Sequence, residues 1–250
     1  MLMAKYFECI SEQDQRIILD DSFKNLELLK TVPMNQLSKA DNGGAAKYYN
    51  IPFPEDMLPN DPYLLGFSLS GLSGKRFCIS FGMSRRILEI YDPGLPYNQA
   101  VYPVFRDDIT SASTLYIFGL KNRTPSPHLT GIEIYNESGA VLYSSGAQYL
   151  DVTYCGGDEA LTLSYDAQTI ALPLGEDIYV DIHGTPHQGF KGIESHTMPT
   201  FTVSDSTVTV SKTTFNQVYT DYDDDGQYNP GVVYEREASY AYGYMLARVV

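Results

Sequence analysis

A strand–turn–strand motif that occurs twice constrains this chain more than any other feature. Phe7-Glu8-Cys9-Ile10-Ser11-Glu12-Gln13-Asp14 leads through Ile17-Ile18-Leu19-Asp20-Asp21-Ser22 to Leu26-Glu27-Leu28. Ile132-Glu133-Ile134-Tyr135-Asn136-Glu137-Ser138-Gly139 leads through Val141-Leu142-Tyr143-Ser144-Ser145-Gly146 to Leu150-Asp151-Val152. With Arg16 skipped, Glu8 meets Glu133, Glu12 meets Glu137 and Leu26 meets Leu150. The apolar runs are short, alternating and separated by turn residues, which predicts strands. The reading is an all-β chain of two tandem β-sandwich-like domains related by internal duplication.

Later features keep the same order. Asn42-Gly43-Gly44 is answered by Cys155-Gly156-Gly157, and Ile51-Pro52-Phe53-Pro54 by Ile170-Ala171-Leu172-Pro173-Leu174. Asp177–His183 then answers Tyr63–Leu69, and the closing strand at Leu115-Tyr116-Ile117-Phe118 is paralleled by Tyr240, Tyr242 and Tyr244 at period two. The linker falls within Lys121–Pro127, which places a first domain at 1–123 and a second at 128–250. Strands are also expected at Arg76–Phe81, Arg86–Tyr91, Phe201–Ser204 and Thr207–Ser211. The polar stretch Met34–Ala46 reads as a long loop. Prolines 52, 54, 59 and 62 exclude a central strand, because each lacks an N–H for the ladder. No segment holds a 3.6-residue period; Phe23–Thr31 is at most a short helix. The loop at 34–46 and the Pro-rich segment at 51–62 are expected to contact neighbouring chains.

Length and composition limit the function. A chain of 250 residues with 21 Tyr, 11 Phe and 43% apolar residues can bury a sizeable core. Its formal net charge of −14 repels phosphate backbones, so nucleic acid is excluded as the expected partner. Cys9, Cys78 and Cys155 are too widely spaced for a metal site and read as buried strand residues. There is no charged-then-apolar leader and no apolar run long enough to cross a bilayer, so synthesis and folding are expected in cytoplasm.

The pattern at 132–145, the mid-domain Pro segments ("PFPED", "PLG") and the terminal Tyr-rich strand resemble small proteins encoded among the tail genes of tailed bacteriophages. The first copy departs at Gln13-Asp14, where Ser-Gly would stand. The resemblance implies a virion component at or near the tail tip, made in the host cytoplasm, with other tail proteins as partners. Two related halves present two similar surfaces, which suits a homo-oligomer within the particle.

The sharpest local signal is Asp221-Tyr222-Asp223-Asp224-Asp225-Gly226. Asp221, Asp223 and Asp225 alternate before a Gly, a spacing that can wrap carboxylates around Ca²⁺. Val232 stands where an EF-hand has its Glu, and an exposed acidic turn is the cheaper explanation of the run. His128, His183, His187 and His196 lack metal-ligand spacing and read as loop histidines. No nucleophile elbow or phosphate loop is present. A carboxylate pair such as Asp107 with Glu133 would require a separation that sequence does not give. Tyr219, Tyr222 and Tyr228 offer flat faces for sugars or a partner. The expectation is a non-enzymatic structural or adaptor protein of a phage tail; the alternative is a carbohydrate- or receptor-binding module, with calcium as its one candidate cofactor.

Overall fold

A computed structural model describes residues 8–10, 17–20, 26–41, 47–55, 57, 62–82, 87–94, 104–120, 131–135, 139, 141–157, 160–174, 177–183, 190–221, 237–238 and 243–250. The backbone alone is described at 8–10, 17–20, 41, 82, 177–183, 190–196, 216–221 and 237–238. The first half supplies β1 (Glu8–Ile10), β2 (Ile17–Asp20), β3 (Glu27–Pro33), β4 (Ser38–Asp41), β5 (Lys47–Asn50), β6 (Tyr63–Ser68), β7 (Arg76–Gly82) and β8 (Ile87–Tyr91). The one-turn helix α1 (Asp107–Thr110) and β9 (Thr114–Gly119) complete it. The second half supplies β10 (Glu133–Tyr135), β11 (Val141–Ser144), β12 (Leu150–Gly156), β13 (Leu161–Ser164), β14 (Ile170–Pro173) and β15 (Asp177–His183). It ends with β16 (Phe190–Val203), β17 (Thr207–Asp221), β18 (Glu237–Ala238) and β19 (Tyr244–Val249). The fold is all-β.

Both copies of the repeated motif form antiparallel hairpins, and they share a detail. The register shifts between Cys9 and Ile10 in β1–β2 and between Ile134 and Tyr135 in β10–β11, the same place in each copy. Gly139, in the second turn, has φ of 80°, which suits a residue without Cβ.

Two large sheets carry the rest. One runs β12-β19-β14-β6-β9-β3; the other runs β13-β17-β16-β7-β8-β5-β4, with β15 continuing from β16 and β18 from β15. Residues 1–123 and 128–250 each contribute adjoining strands to both sheets. The halves are therefore side-by-side blocks of two layers, and the sheets pass from one block into the other. Where two separate sandwiches were expected, β6 pairs with β14 and β7 with β16. From these two contacts the strand order reads alike outward: β9 and β3 against β19 and β12, then β8 and β5 against β17 and β13.

Further expectations need correction. β14, not β15, occupies the place opposite β6, so Asp177–His183 does not answer Tyr63–Leu69. The third strand expected at Leu26-Glu27-Leu28 is present as β3, so the at most short helix at Phe23–Thr31 is not formed over 27–31; residues 23–25 lie outside the described residues. The supposed loop at 34–46 contains a 3₁₀ turn at Met34–Gln36 and then β4. The Pro-rich segment has no strand among its described residues, yet Ile51 and Met57 are buried, so part of it packs inward. Cys78 is buried as expected, whereas Cys155 is exposed on the edge strand β12; the side chain of Cys9 lies outside the described residues.

The main core lies between the sheets and draws on both blocks. Phe67 and Phe77 of the first block meet Phe201 of the second at centroid distances of 5.2 and 6.0 Å, and each other at 5.7 Å. All three are fully buried, so this trio joins the blocks by apolar burial and by edge and stacked ring contacts. Gly66 permits the close approach of β14: a Cβ there would lie 2.6 Å from Cγ2 of Ile170. The other face of the six-stranded sheet is also covered. Its edge strands meet at a bridge between Glu27 and Tyr149, with Leu150 N–H donating to Leu26 O at 3.0 Å. That closure brings together the aligned leucines of the repeat and encloses Phe118, Ile170, Leu172 and Ala247.

One element runs beyond the sandwich. β16 pairs with β7 only from Thr200 to Thr202; from Thr197 to Lys191 its partner is β15. Pro199 stands between these two pairings, a position where a missing N–H disrupts no ladder. β16 and β17 stay paired from Pro199↔Lys212 out to Phe190↔Asp221, an arm of about 30 Å at ~3.3 Å per residue.

Candidate functional site

Three turns converge at one end of the block junction. The first, between β6 and β7, is pinned by fully buried Leu72, whose N–H donates to Leu69 O at 3.1 Å. Gly71 has φ of +87°, and a Cβ there would lie 2.6 Å from the carbonyl oxygen of Ala112; conformation and space both require glycine. The second turn joins β13 to β14. Its Asp166 carboxylate accepts from Gln168 N–H at 3.0 Å and Thr169 Oγ1 at 2.9 Å, an Asx-type turn. The third joins β16 to β17, where Ser204 Oγ lies 2.6 Å from Thr207 Oγ1.

Ser70, Gly71, Ser73, Tyr165, Asp166, Ala167 and Asp205 line an open cleft of ≈ 230 Å³ between these turns. Ser73 Oγ donates to Asp205 Oδ1 at 2.5 Å, tying the first block to the second. Tyr165 OH donates to Ser204 O at 2.7 Å, which fixes the ring at the cleft wall. Arg248 Nη2 donates to Asp166 Oδ2 at 2.6 Å. The Thr169 hydroxyl, assisted by Gln168 N–H and the Arg248 charge, holds the Asp166 carboxyl below its ordinary range. Burial pushes the Tyr165 phenol upward. The cleft thus offers carboxylate acceptors, hydroxyls and one aromatic ring.

A second polar cluster holds α1 against the first block. Arg106 donates to Asp108 through Nε at 2.9 Å and Nη2 at 3.0 Å, while its Nη1 lies 3.2 Å from Asp92 Oδ2. Lys75 reaches Asp108 at 3.3 Å, and Lys39 pairs with Asp107 at 2.6 Å while lying 5.1 Å from the Phe105 ring centroid. The Arg106 hydrogen bonds hold the Asp108 carboxyl down at about 2. These pairs join segments distant in sequence, a structural task.

The residues singled out in sequence are scattered. Asp221 ends β17, its backbone opposite Phe190; Asp223 and Asp225 lie outside the described residues. Asp107 is held by Lys39, and Glu133 accepts from Tyr135 OH on the β10–β11 hairpin. His183 and His196 lie on strands β15 and β16, not in loops, while His128 and His187 lie outside the described residues. Tyr219 is on β17, and Tyr222 and Tyr228 are outside the described residues. Among the described residues no group of three or more His, Cys, Asp or Glu gathers as a metal centre would require, and no helix is long and apolar enough to cross a membrane. The cleft was missed in sequence because its residues come from three turns; Ser70-Gly71-Leu72-Ser73-Gly74 was its one local sign.

On the outer face of the larger sheet, Cys78 Sγ lies 3.0 Å from Thr200 Oγ1, beside Tyr91, Met198 and Phe215. Burial pushes the Cys78 thiol up to about 11, so it is protonated and unreactive near neutral pH. No family model, curated protein or solved structure matches this chain, so its fold and these sites are read from its own residues.

Proposed function

We propose that the chain is a non-enzymatic structural or adaptor component of a bacteriophage virion, at or near the tail tip. Its partners are neighbouring tail proteins and further copies of itself. The observation that carries this reading is the β15–β16–β17 arm. A protein that only had to close its core would end β16 and β17 where β7 and β8 end. A paired ribbon that continues past the pairing with β7 offers its backbone to a neighbour. The tail location comes from the motif resemblance at 132–145.

The test is to find the protein in purified virions by mass spectrometry and to locate it by electron microscopy. Hydrogen exchange should then be compared between the free chain and the particle. The arm should gain protection in the particle; absence from virions, or equal arm exchange in both states, would sink the reading. Calcium at Asp221, Asp223 and Asp225 belongs to the same proposal. Ca²⁺ binding only to the folded loop would raise the melting temperature, and Asp223→Asn with Asp225→Asn would remove the response. A melting curve indifferent to Ca²⁺ and to chelator would leave these residues as a solvated turn.

The cleft favours a second reading, a carbohydrate-binding module. A ring at Tyr165 beside the Asp166 and Asp205 carboxylates suits a neutral sugar, which stacks on aromatic faces and donates hydroxyls to carboxylates. Saturation-transfer NMR with neutral hexoses tests it. Signal lost on Tyr165→Ala would support binding there, and no transfer from any hexose would dismiss it.

A further inference from the structure

We propose that the cleft between the three turns binds an amino sugar, with the protonated amine seated on the Asp205 carboxylate beside the Tyr165 ring. The inference rests on the carbohydrate reading of this cleft and narrows the ligand from a neutral hexose to one that carries an amine.

The two carboxylates of the cleft are not equivalent. Asp166 is already satisfied within the chain: its Oδ1 accepts from Gln168 N–H and Thr169 Oγ1, and its Oδ2 accepts from Arg248 Nη2 at 2.6 Å. The Arg248 guanidinium also balances its charge. Asp205 accepts at Oδ1 from Ser73 Oγ at 2.5 Å, a neutral donor. Among the described residues no Lys, Arg or His forms an ion pair with Asp205. The cleft therefore keeps one uncompensated negative charge, on a carboxylate held in place by a hydroxyl from the other block.

That charge stands close to the aromatic wall. Burial, and after it the Asp205 charge, push the Tyr165 phenol upward. Tyr165 is half-buried against the main core, and its hydroxyl is committed to Ser204 O at 2.7 Å, so the ring is the part it offers to the cleft. An ammonium group between ring and carboxylate gains a cation–π attraction and a charge-assisted hydrogen bond. A neutral hydroxyl in the same place gains neither the ion pair nor the cation–π term, and a sugar bearing a carboxylate is repelled.

Size points to a single ring. At ≈ 230 Å³ the cleft falls below the roughly 300–1,000 Å³ of sites that take drug-sized ligands. Ser70 and Ser73 add hydroxyls at its rim. Because Asp205 and Ser73 are exposed, the amine contributes on the scale of a surface ion pair with a cation–π contact, a preference of about fivefold over the neutral hexose.

The test is a saturation-transfer NMR titration of the full chain at low salt and about pH 6, where the amine is protonated, with glucosamine, glucose and N-acetylglucosamine. Glucosamine should bind about fivefold more tightly than either neutral sugar. In the unaltered chain the preference should shrink as salt is raised, and in Asp205→Asn it should vanish. Equal affinities for glucosamine and glucose would overturn the inference and leave the carbohydrate reading standing, whereas binding of none of the three would remove both. A preference that ignores salt, or that persists in Asp205→Asn, would overturn the assignment to that carboxylate. The amide of N-acetyl-lysine, titrated alongside, separates a sugar from a protein lysine. It should bind more weakly than glucosamine; equal affinity would show that the cleft reads the amine alone and would overturn the amino-sugar assignment.

Discussion

β7–β8 and β16–β17 hold corresponding places in the two blocks, adjoining at the seam, yet they differ in extent. β7 and β8 span Arg76–Gly82 and Ile87–Tyr91, and their inward residues Phe77, Ile79, Phe81, Leu88 and Ile90 are all in the core. β16 and β17 span Phe190–Val203 and Thr207–Asp221; among their described side chains Phe201, Val203, Val208 and Val210 enter that core, and Met198 and Phe215 are buried beside Cys78 and Tyr91. In the first hairpin β7 and β8 pair over Cys78–Gly82. The second continues past its pairing with β7 and recruits β15. A block with a surplus beside one without separates folding from presentation.

The seam should show the largest effect. Phe201→Ala removes the ring shared by both blocks and should cost about 3–5 kcal/mol, the range for a fully buried aromatic. Urea unfolding followed by circular dichroism should show one shifted transition for the whole chain. Two transitions, with the first block unmoved, would show that the blocks are energetically independent.

Acid separates the blocks next. The first is braced by Arg106, Asp92, Asp108 and Lys75; the folded Asp108 carboxyl, at about 2, lies below its ordinary unfolded value near 3.9. A depressed carboxylate contributes stability above the unfolded value and loses it as pH falls through the folded one. Stability should therefore decline between about pH 4 and pH 2, and Arg106→Met should flatten that part of the profile. An unchanged slope in the variant would show that Asp108 is not the group responsible.

The arm should show the smallest effect on stability. Replacing the β15–β16 tip, residues 182–192, with a short Gly-Ser turn should shift the melting temperature by no more than about 2 °C, equivalent to under ~1 kcal/mol for a chain of this size. In the intact protein, arm amides at 190–197 should exchange by local opening, while those of β7 and β8 exchange only with global unfolding. A large loss of stability on excision would make the arm part of the core.

Local chemistry made much of the fold legible. The hairpins at 8–20 and 133–144 are visible because alternation and turn residues act over a few positions. The pairing of Phe67 with Ala171, or Phe77 with Phe201, is not visible, because nothing nearby in sequence marks an edge strand's distant partner. The same limit placed β15 opposite the wrong strand in the repeat. The third strand of each copy was also legible: Leu26-Glu27-Leu28 leads into β3 and Leu150-Asp151-Val152 into β12. The cleft at Tyr165, Asp166 and Asp205 was hidden for a related reason: its residues come from turns distant in sequence, the β13–β14 and β16–β17 turns of the second block and the Ser70–Ser73 turn of the first. The acidic run at 221–225 was the reverse case, conspicuous in sequence but with only the backbone of Asp221 within the described residues.

Cleaving the native chain within 121–130 and passing the product through a sizing column tests most directly whether the blocks form one folded unit. The shared sheets and the Phe67–Phe77–Phe201 contact predict that the two fragments co-elute as one particle. They should separate only in denaturant and unfold in a single transition. Two fragments that elute apart in native buffer, each retaining its β-sheet spectrum, would contradict a shared core and restore two independent sandwiches.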